Sequence, residues 1–190
     1  TCALPISGVL HKEGPSTATQ ATGGRTHGLQ LWVNLPASMK MCAPAYQDLR
    51  ADANAIAHEP GAVVRVIAGS LFGLVGPGRT HTPISYAHLT LQPGGSAASE
   101  LPAGHRVLVY AMTGAVTVNA TQLDEGVMAV VDGHHLAVNG VAPASEIIVL
   151  TGQPIGEPVA RYGPFVMNTE QELRQAFSDF ERGRFGVPLD

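Results

Sequence analysis

The chain has 190 residues, of which 45% are hydrophobic and 14% are charged, with a formal net charge of −4. That balance excludes disorder of the low-hydrophobicity, high-charge kind, and no apolar run approaches the ~18 residues of a membrane-spanning helix. The 11 Lys and Arg are scattered, which leaves no phosphate-binding footprint and argues against nucleic acid as a partner. Two cysteines, Cys2 and Cys42, make no disulfide framework, so a reducing cytoplasm is expected.

The opening Thr1-Cys2-Ala3-Leu4-Pro5-Ile6 has neither an initiator Met nor the basic residues of a signal or transit peptide. It matches the translation of a sequencing-adapter end, so residues 1–6 are expected to be a non-native leader. Gly8–Glu13 reads as a turn, a short apolar run and then His11-Lys12-Glu13. Residues 14–26 read as a flexible loop. His27–Pro36 is predicted as a strand, because Leu29, Leu31, Val33 and Leu35 alternate with Gln30, Trp32 and Asn34. Pro36 ends it by removing a ladder donor. Residues 37–60 read as a mixed connector.

Strand-like runs follow at Ala62–Ala68, Ser85–Leu91, Arg106–Met112, Ala115–Asn119, Gly126–Val131, Leu136–Asn139 and Glu146–Thr151. Turn signals fall between them, at Gly76-Pro77-Gly78, Pro93-Gly94-Gly95, Thr113-Gly114, Asp124-Glu125-Gly126, Asp132-Gly133 and Asn139-Gly140. Short strands at this spacing predict an all-β sandwich or barrel. The end differs: Thr169 and Glu172 form a capping box, and Leu173, Ala176, Phe177 and Phe180 follow at helical spacing. A helix is predicted over Glu170–Arg182, with Gly183 as its terminator.

These stretches resemble the pirin family of the cupin superfamily. The resemblance is carried by Gly8–Glu13, His27–Pro36 (HGLQLWVNLP), Tyr46–Leu49, Val64–Gly69, Thr80-His81-Thr82-Pro83, Gly156-Glu157-Pro158, Tyr162–Thr169 and Arg182–Gly186. It implies an all-β fold of the cupin type, a double-stranded β-helix or jelly-roll barrel. The family is bicupin, and most of the N-terminal barrel is expected to be missing here. Residues 7–36 are then the remnant of that barrel and 37–60 a connector. Residues 61–160 are the C-terminal barrel, and 161–190 carry a docking helix.

The resemblance further implies one Fe(II) per intact N-terminal cupin, held by three His and one Glu, with His11 and Glu13 as two of the four ligands. On an extended strand the residues at i and i+2 share a face, so His11 and Glu13 can point inward together while Lys12 points out. Imidazole plus carboxylate with open positions suits ferrous iron. The C-terminal barrel is expected to hold no metal. Alignment on Gly114 puts its ligand positions on Leu101, Ala103, Val107 and Leu136, and His105 and Glu100 are off register. His27 and His81 read as structural, His134-His135 as a solvated turn pair, and Cys42 as an inert thiol. Pro77 spoils Gly73–Gly78 as a phosphate cradle.

Two functions remain open. Bacterial pirins resemble quercetin 2,3-dioxygenases, which implies a flavonol substrate and makes Glu13 a catalytic base as well as a ligand. The alternative is a non-catalytic, iron-dependent redox sensor that binds a transcription factor or metabolic enzyme. The intact protein is expected to be a monomer. This 190-residue chain, with two of the four ligands, is expected to be inactive and to bind iron weakly. Its Gln30–Leu35 segment and closing helix are expected to be partly unpartnered, an aggregation liability.

Overall fold

The computed structural model describes residues 2–4 and 14–185. It forms two compact units, one of Leu49–Pro154 and one of the flanking segments up to Asp48 and from Ile155 onward. Among the described residues no helix is long and apolar enough to cross a membrane.

The flanking unit begins with β1 (Cys2–Leu4), the short helix α1 (Thr17–Thr22) and β2 (Ala45–Gln47), which pairs antiparallel with β1. The central unit then lays down β3 (Ala55–Glu59), β4 (Ala62–Ala68), β5 (Ser70–Leu71), β6 (Leu74–Val75), β7 (Ile84–Leu91) and β8 (Ser96–Glu100). It continues with β9 (Arg106–Thr113), β10 (Val116–Val118), β11 (Thr121–Leu123), β12 (Met128–Val131), β13 (His135–Gly140) and β14 (Ser145–Gly152). The chain closes in the flanking unit with hairpin β15 (Ala160–Tyr162) and β16 (Phe165–Met167) and helix α2 (Glu170–Glu181).

Ten strands of the central unit make two antiparallel sheets. One runs β12-β9-β14-β7-β4-β3, the other β11-β10-β13-β8. Burial alternates strictly along the long strands, so every second side chain points inward. Val64, Val66, Leu89, Val107, Val109 and Val149 from the first sheet meet Val116, Leu136 and Val138 from the second in one core. This is the barrel that the alternation predicts.

Glycines set two close approaches. Gly69 has φ +68, and a Cβ there would lie 2.1 Å from the Ile84 carbonyl oxygen. Gly140 is not the turn residue expected of Asn139-Gly140. It ends strand β13, where a Cβ would lie 2.2 Å from the Gln92 carbonyl oxygen. The sequence signal was real, but the glycine serves backbone proximity rather than a turn.

Three further expectations are corrected. Residues 14–26 are not all loop, because Ser16 Oγ accepts from Thr19 N at 3.2 Å and starts α1. Ala55–Glu59, taken as connector, pairs along β4 as a sheet strand. Its inward residues are alanines, which carry a weak periodic signal. His27–Pro36 forms no strand. A strand needs a neighbouring backbone to satisfy its N–H and C=O groups, and among the described residues none pairs with it. Leu29, Leu31, Trp32 and Val33 are all exposed, and only Leu35 is buried.

Candidate functional site

His11 and Glu13, the two expected iron ligands, lie outside the described residues. Among the described residues no group of three or more His, Cys, Asp or Glu is arranged to hold a metal ion. The positions where the central barrel would carry ligands are apolar. Leu101, Val107 and Leu136 are buried in its core, and Ala103 is exposed.

The remaining histidines are placed as follows. His105 Nδ1 lies 3.2 Å from Thr151 Oγ1, and His135 Nδ1 lies 3.3 Å from Glu100 Oε1. His134, His27 and His58 are exposed, and His81 is half-buried. His88 stands on the outer face of β7, with its Nε2 3.8 Å from Glu146 Oε2. Burial lowers its pKa; Glu146 opposes that shift and Arg65 adds to it.

What the flanking unit does bring together is three of the segments that carry the pirin resemblance, His27–Pro36, Gly156–Pro158 and Tyr162–Thr169. Ala37 N, just past HGLQLWVNLP, donates to Glu157 Oε2 at 2.7 Å. Asn168 Nδ2 donates to the same oxygen at 2.8 Å and to Pro158 O at 3.0 Å. Lys40 Nζ donates to Asn34 Oδ1 at 2.6 Å. Burial lowers the pKa of Lys40, opposed by the carboxylates of Glu157 and Glu172.

Glu172 continues the chain of contacts. Its Oε2 accepts from the backbone N–H groups of Asn168 (3.0 Å) and Thr169 (2.8 Å), while Thr169 Oγ1 accepts from Glu172 N. The Asn168 bond first, then Thr169, holds the Glu172 carboxyl below the usual carboxylate range. Trp32 lies under Arg161, whose Cζ is 5.2 Å from the ring centroid. Lys40, Glu157 and Asn168 were not singled out from the sequence. Glu157 and Asn168 lie in segments that carry the resemblance, whereas Lys40 lies in the stretch read as a connector.

The central barrel has an opening of its own. A cleft of about 380 Å³ lies between the edge strands β3 and β8, lined among others by Ala57, Val64, Phe72, Ala97 and Val138. Phe72 takes φ 53, uncommon for a bulky residue. Its N–H donates to the hydroxyl of Ser99 at 2.9 Å, which fixes the hairpin tip against the cleft.

The order and stacking of the two sheets define a barrel of the cupin type. Comparison with known proteins is specific: the Pirin C-terminal cupin domain model matches residues 86–186, more than half of the chain. The chain belongs to the pirin family. A Pseudomonas aeruginosa protein, provisionally named a quercetin 2,3-dioxygenase, is 38% identical over 182 residues, covering 94% of this chain and 64% of its own. Pirin of Homo sapiens is 34% identical over 189 residues, covering 94% of this chain and 62% of its own. The crystal structure of quercetin 2,3-dioxygenase from Acinetobacter baumannii superposes with a TM-score of 0.77 at 37% identity, over 83% of this chain and 56% of that one. The chain therefore spans less than two thirds of the length of these curated relatives.

Proposed function

We propose that the chain supplies two ligands, His11 and Glu13, to the ferrous site of a pirin-type flavonol 2,3-dioxygenase of the cytoplasm. The observation that supports this reading is the 37% identity and 0.77 TM-score to the Acinetobacter baumannii quercetin 2,3-dioxygenase. The donor chemistry fits the metal: a neutral imidazole and a carboxylate suit a divalent ion that must keep positions open. The pirin resemblance draws the other two ligands from an H-x-H motif, which this sequence does not contain. Iron held there by His11 and Glu13 together with the two further histidines would supply Lewis-acid and redox chemistry toward a flavonol and dioxygen.

Glu13 has a second task in this reading. Its carboxylate accepts the proton of the flavonol 3-hydroxyl, so the substrate reacts as its anion. The Glu157–Asn168–Glu172 staple fixes the segment that follows HGLQLWVNLP, a positioning role at a distance from the chemistry. Oxygen uptake with quercetin by the iron-loaded full-length protein is the test. Glu13→Gln is expected to lower turnover by about 100-fold or more, the usual share of a general base. Unchanged turnover in that variant removes Glu13 from the reaction, and no uptake by the unsubstituted protein removes the flavonol.

A further inference from the structure

Asn139-Gly140 reads as a turn signal in the sequence but closes strand β13 in the fold. A chemically reactive pair therefore stands inside a sheet. In an Asn-Gly pair the backbone nitrogen of the glycine attacks the side-chain carbonyl carbon of the asparagine, because glycine puts no side chain in the way. A C–N bond forms, the side-chain nitrogen leaves as ammonia, and a five-membered succinimide remains. Water then opens the ring at either carbonyl, giving aspartate or isoaspartate.

Three features oppose that attack in the closed barrel. The nucleophile is occupied: Gly140 N donates to Gly95 O at 2.9 Å. The leaving group is held: Asn139 Nδ2 donates to Thr117 Oγ1 at 3.1 Å, although the side chain is exposed. The backbone is also turned the wrong way. Ring closure brings Gly140 N round the Cα–C bond of Asn139 until it nearly eclipses Cβ. An extended strand, with ψ about +135°, holds it far from that position.

Two neighbours enforce this separately. β13 lies between β10 and β8. Asn139 stands opposite Thr117 on β10 and Ser96 on β8, and Gly140 stands opposite Val116 on β10. Gly94 N donates to Gly140 O at 3.0 Å, and Val141 N donates to Ala115 O at 3.0 Å. Release from one neighbour frees one group and leaves the backbone angle fixed by the other. The close approach of Gln92 demands glycine at 140, so the reactive pair is built into the barrel.

We propose that Asn139 is a deamidation site gated by strand β13: it is inert in the closed barrel and reacts in molecules whose β13 has left both neighbours. Openings of this kind occur below the threshold of global unfolding. Isoaspartate routes the main chain through Cβ and adds one carbon to the strand. Gly140 then no longer meets Gly94 and Gly95 in register, and a passing opening becomes a permanent defect.

Incubation of the purified full chain in mildly alkaline buffer, folded and in denaturing urea, tests this. Digestion with an acid protease and mass spectrometry of the peptide that spans 139–140 read the replacement of the side-chain NH2 by OH. Asn139 is expected to deamidate at least ~10-fold more slowly in the folded chain. Urea well below the unfolding midpoint is expected to raise the folded-chain rate in step with hydrogen exchange at the β13 amides. That series needs no substitution. Val138→Ala, at a fully buried position of the same strand, is expected to raise both rates by the same factor. Thr117→Val removes only the side-chain tie and is expected to leave the folded-chain rate nearly unchanged. Equal rates in the folded and unfolded chain overturn the proposal, as does an unfolded chain that fails to react. So does a folded-chain rate that neither urea nor Val138→Ala moves. A faster Thr117→Val reaction with the β13 amides still protected assigns the inertness to the side-chain tie, and also overturns it.

Discussion

The Asn168 carboxamide ties its strand end to Glu157 and Pro158, while its backbone N–H reaches Glu172. Asn168→Ala removes the side-chain bonds and strips a donor from the Glu157 carboxylate. The expected loss is about 1–2 kcal/mol, read as a lower urea midpoint with an unchanged slope. His88 gives a pH signature. Burial depresses its folded pKa below the ordinary 6.5, so the unfolded chain takes up the proton first as pH falls. Stability is full above pH 6.5 and declines as pH drops through the lowered folded value. The unfolding midpoint is expected to fall further between pH 7.5 and 5.5 in the native sequence than in His88→Leu. Glu172 acts in a lower window: its depressed carboxyl stabilises above its ordinary 4.5 and loses that contribution as pH falls below it.

The strands show which sequence signals carry. β4, β7, β9 and β14 were legible because each carries Val, Ile or Leu at successive inward positions, Val64 and Val66, Leu89 and Leu91, Val107 and Val109, Ile147 and Val149, which leaves a period of two. β8 was not, since its inward residues are Ala97 and Ser99, and Ser99 earns its place by holding Phe72 rather than by packing. The hairpin between β10 and β11 was missed for a different reason. It turns through Asn119 and Ala120, at φ 45 and 67, with no glycine to announce it. Asn119 compensates by bonding to His135 O and to the Ala137 N–H. Ala120 has no such role, so Ala120→Gly is expected to stabilise by roughly 0.5–1 kcal/mol, measured by chemical denaturation. α2 was legible at both ends. Thr169 and Glu172 make the expected capping box. Gly183 at φ 63 closes the helix with Gly183 N to Phe180 O and Arg184 N to Asp179 O.

At the scale of the whole molecule, burial is unevenly divided. Leu35, Ala160 and Leu173 are the buried hydrophobic residues of the flanking unit among the described residues, whereas the central unit holds a continuous core. Limited proteolysis is therefore expected to cut first within 14–48 and to leave a resistant piece close to Leu49–Pro154. Simultaneous loss of both units would contradict that. The same division explains how much of the candidate site the sequence made legible. His11 and Glu13 rest on a short motif and on family likeness, while the Lys40–Asn34 and Glu157–Asn168 contacts arise from tertiary packing that no local pattern encodes.

One side chain offers a way to watch the two units apart. Trp32 is the only tryptophan in the chain, and it lies in the flanking unit beneath Arg161. The central barrel has tyrosine but no tryptophan. Red-edge excitation of the indole therefore senses the flanking unit alone, through the presence or departure of the guanidinium over its ring. Tyrosine emission at shorter wavelength is mixed, because Tyr86 and Tyr110 lie in the barrel and Tyr46 and Tyr162 in the flanking unit. The sequence has in effect placed a native optical label on the flanking unit.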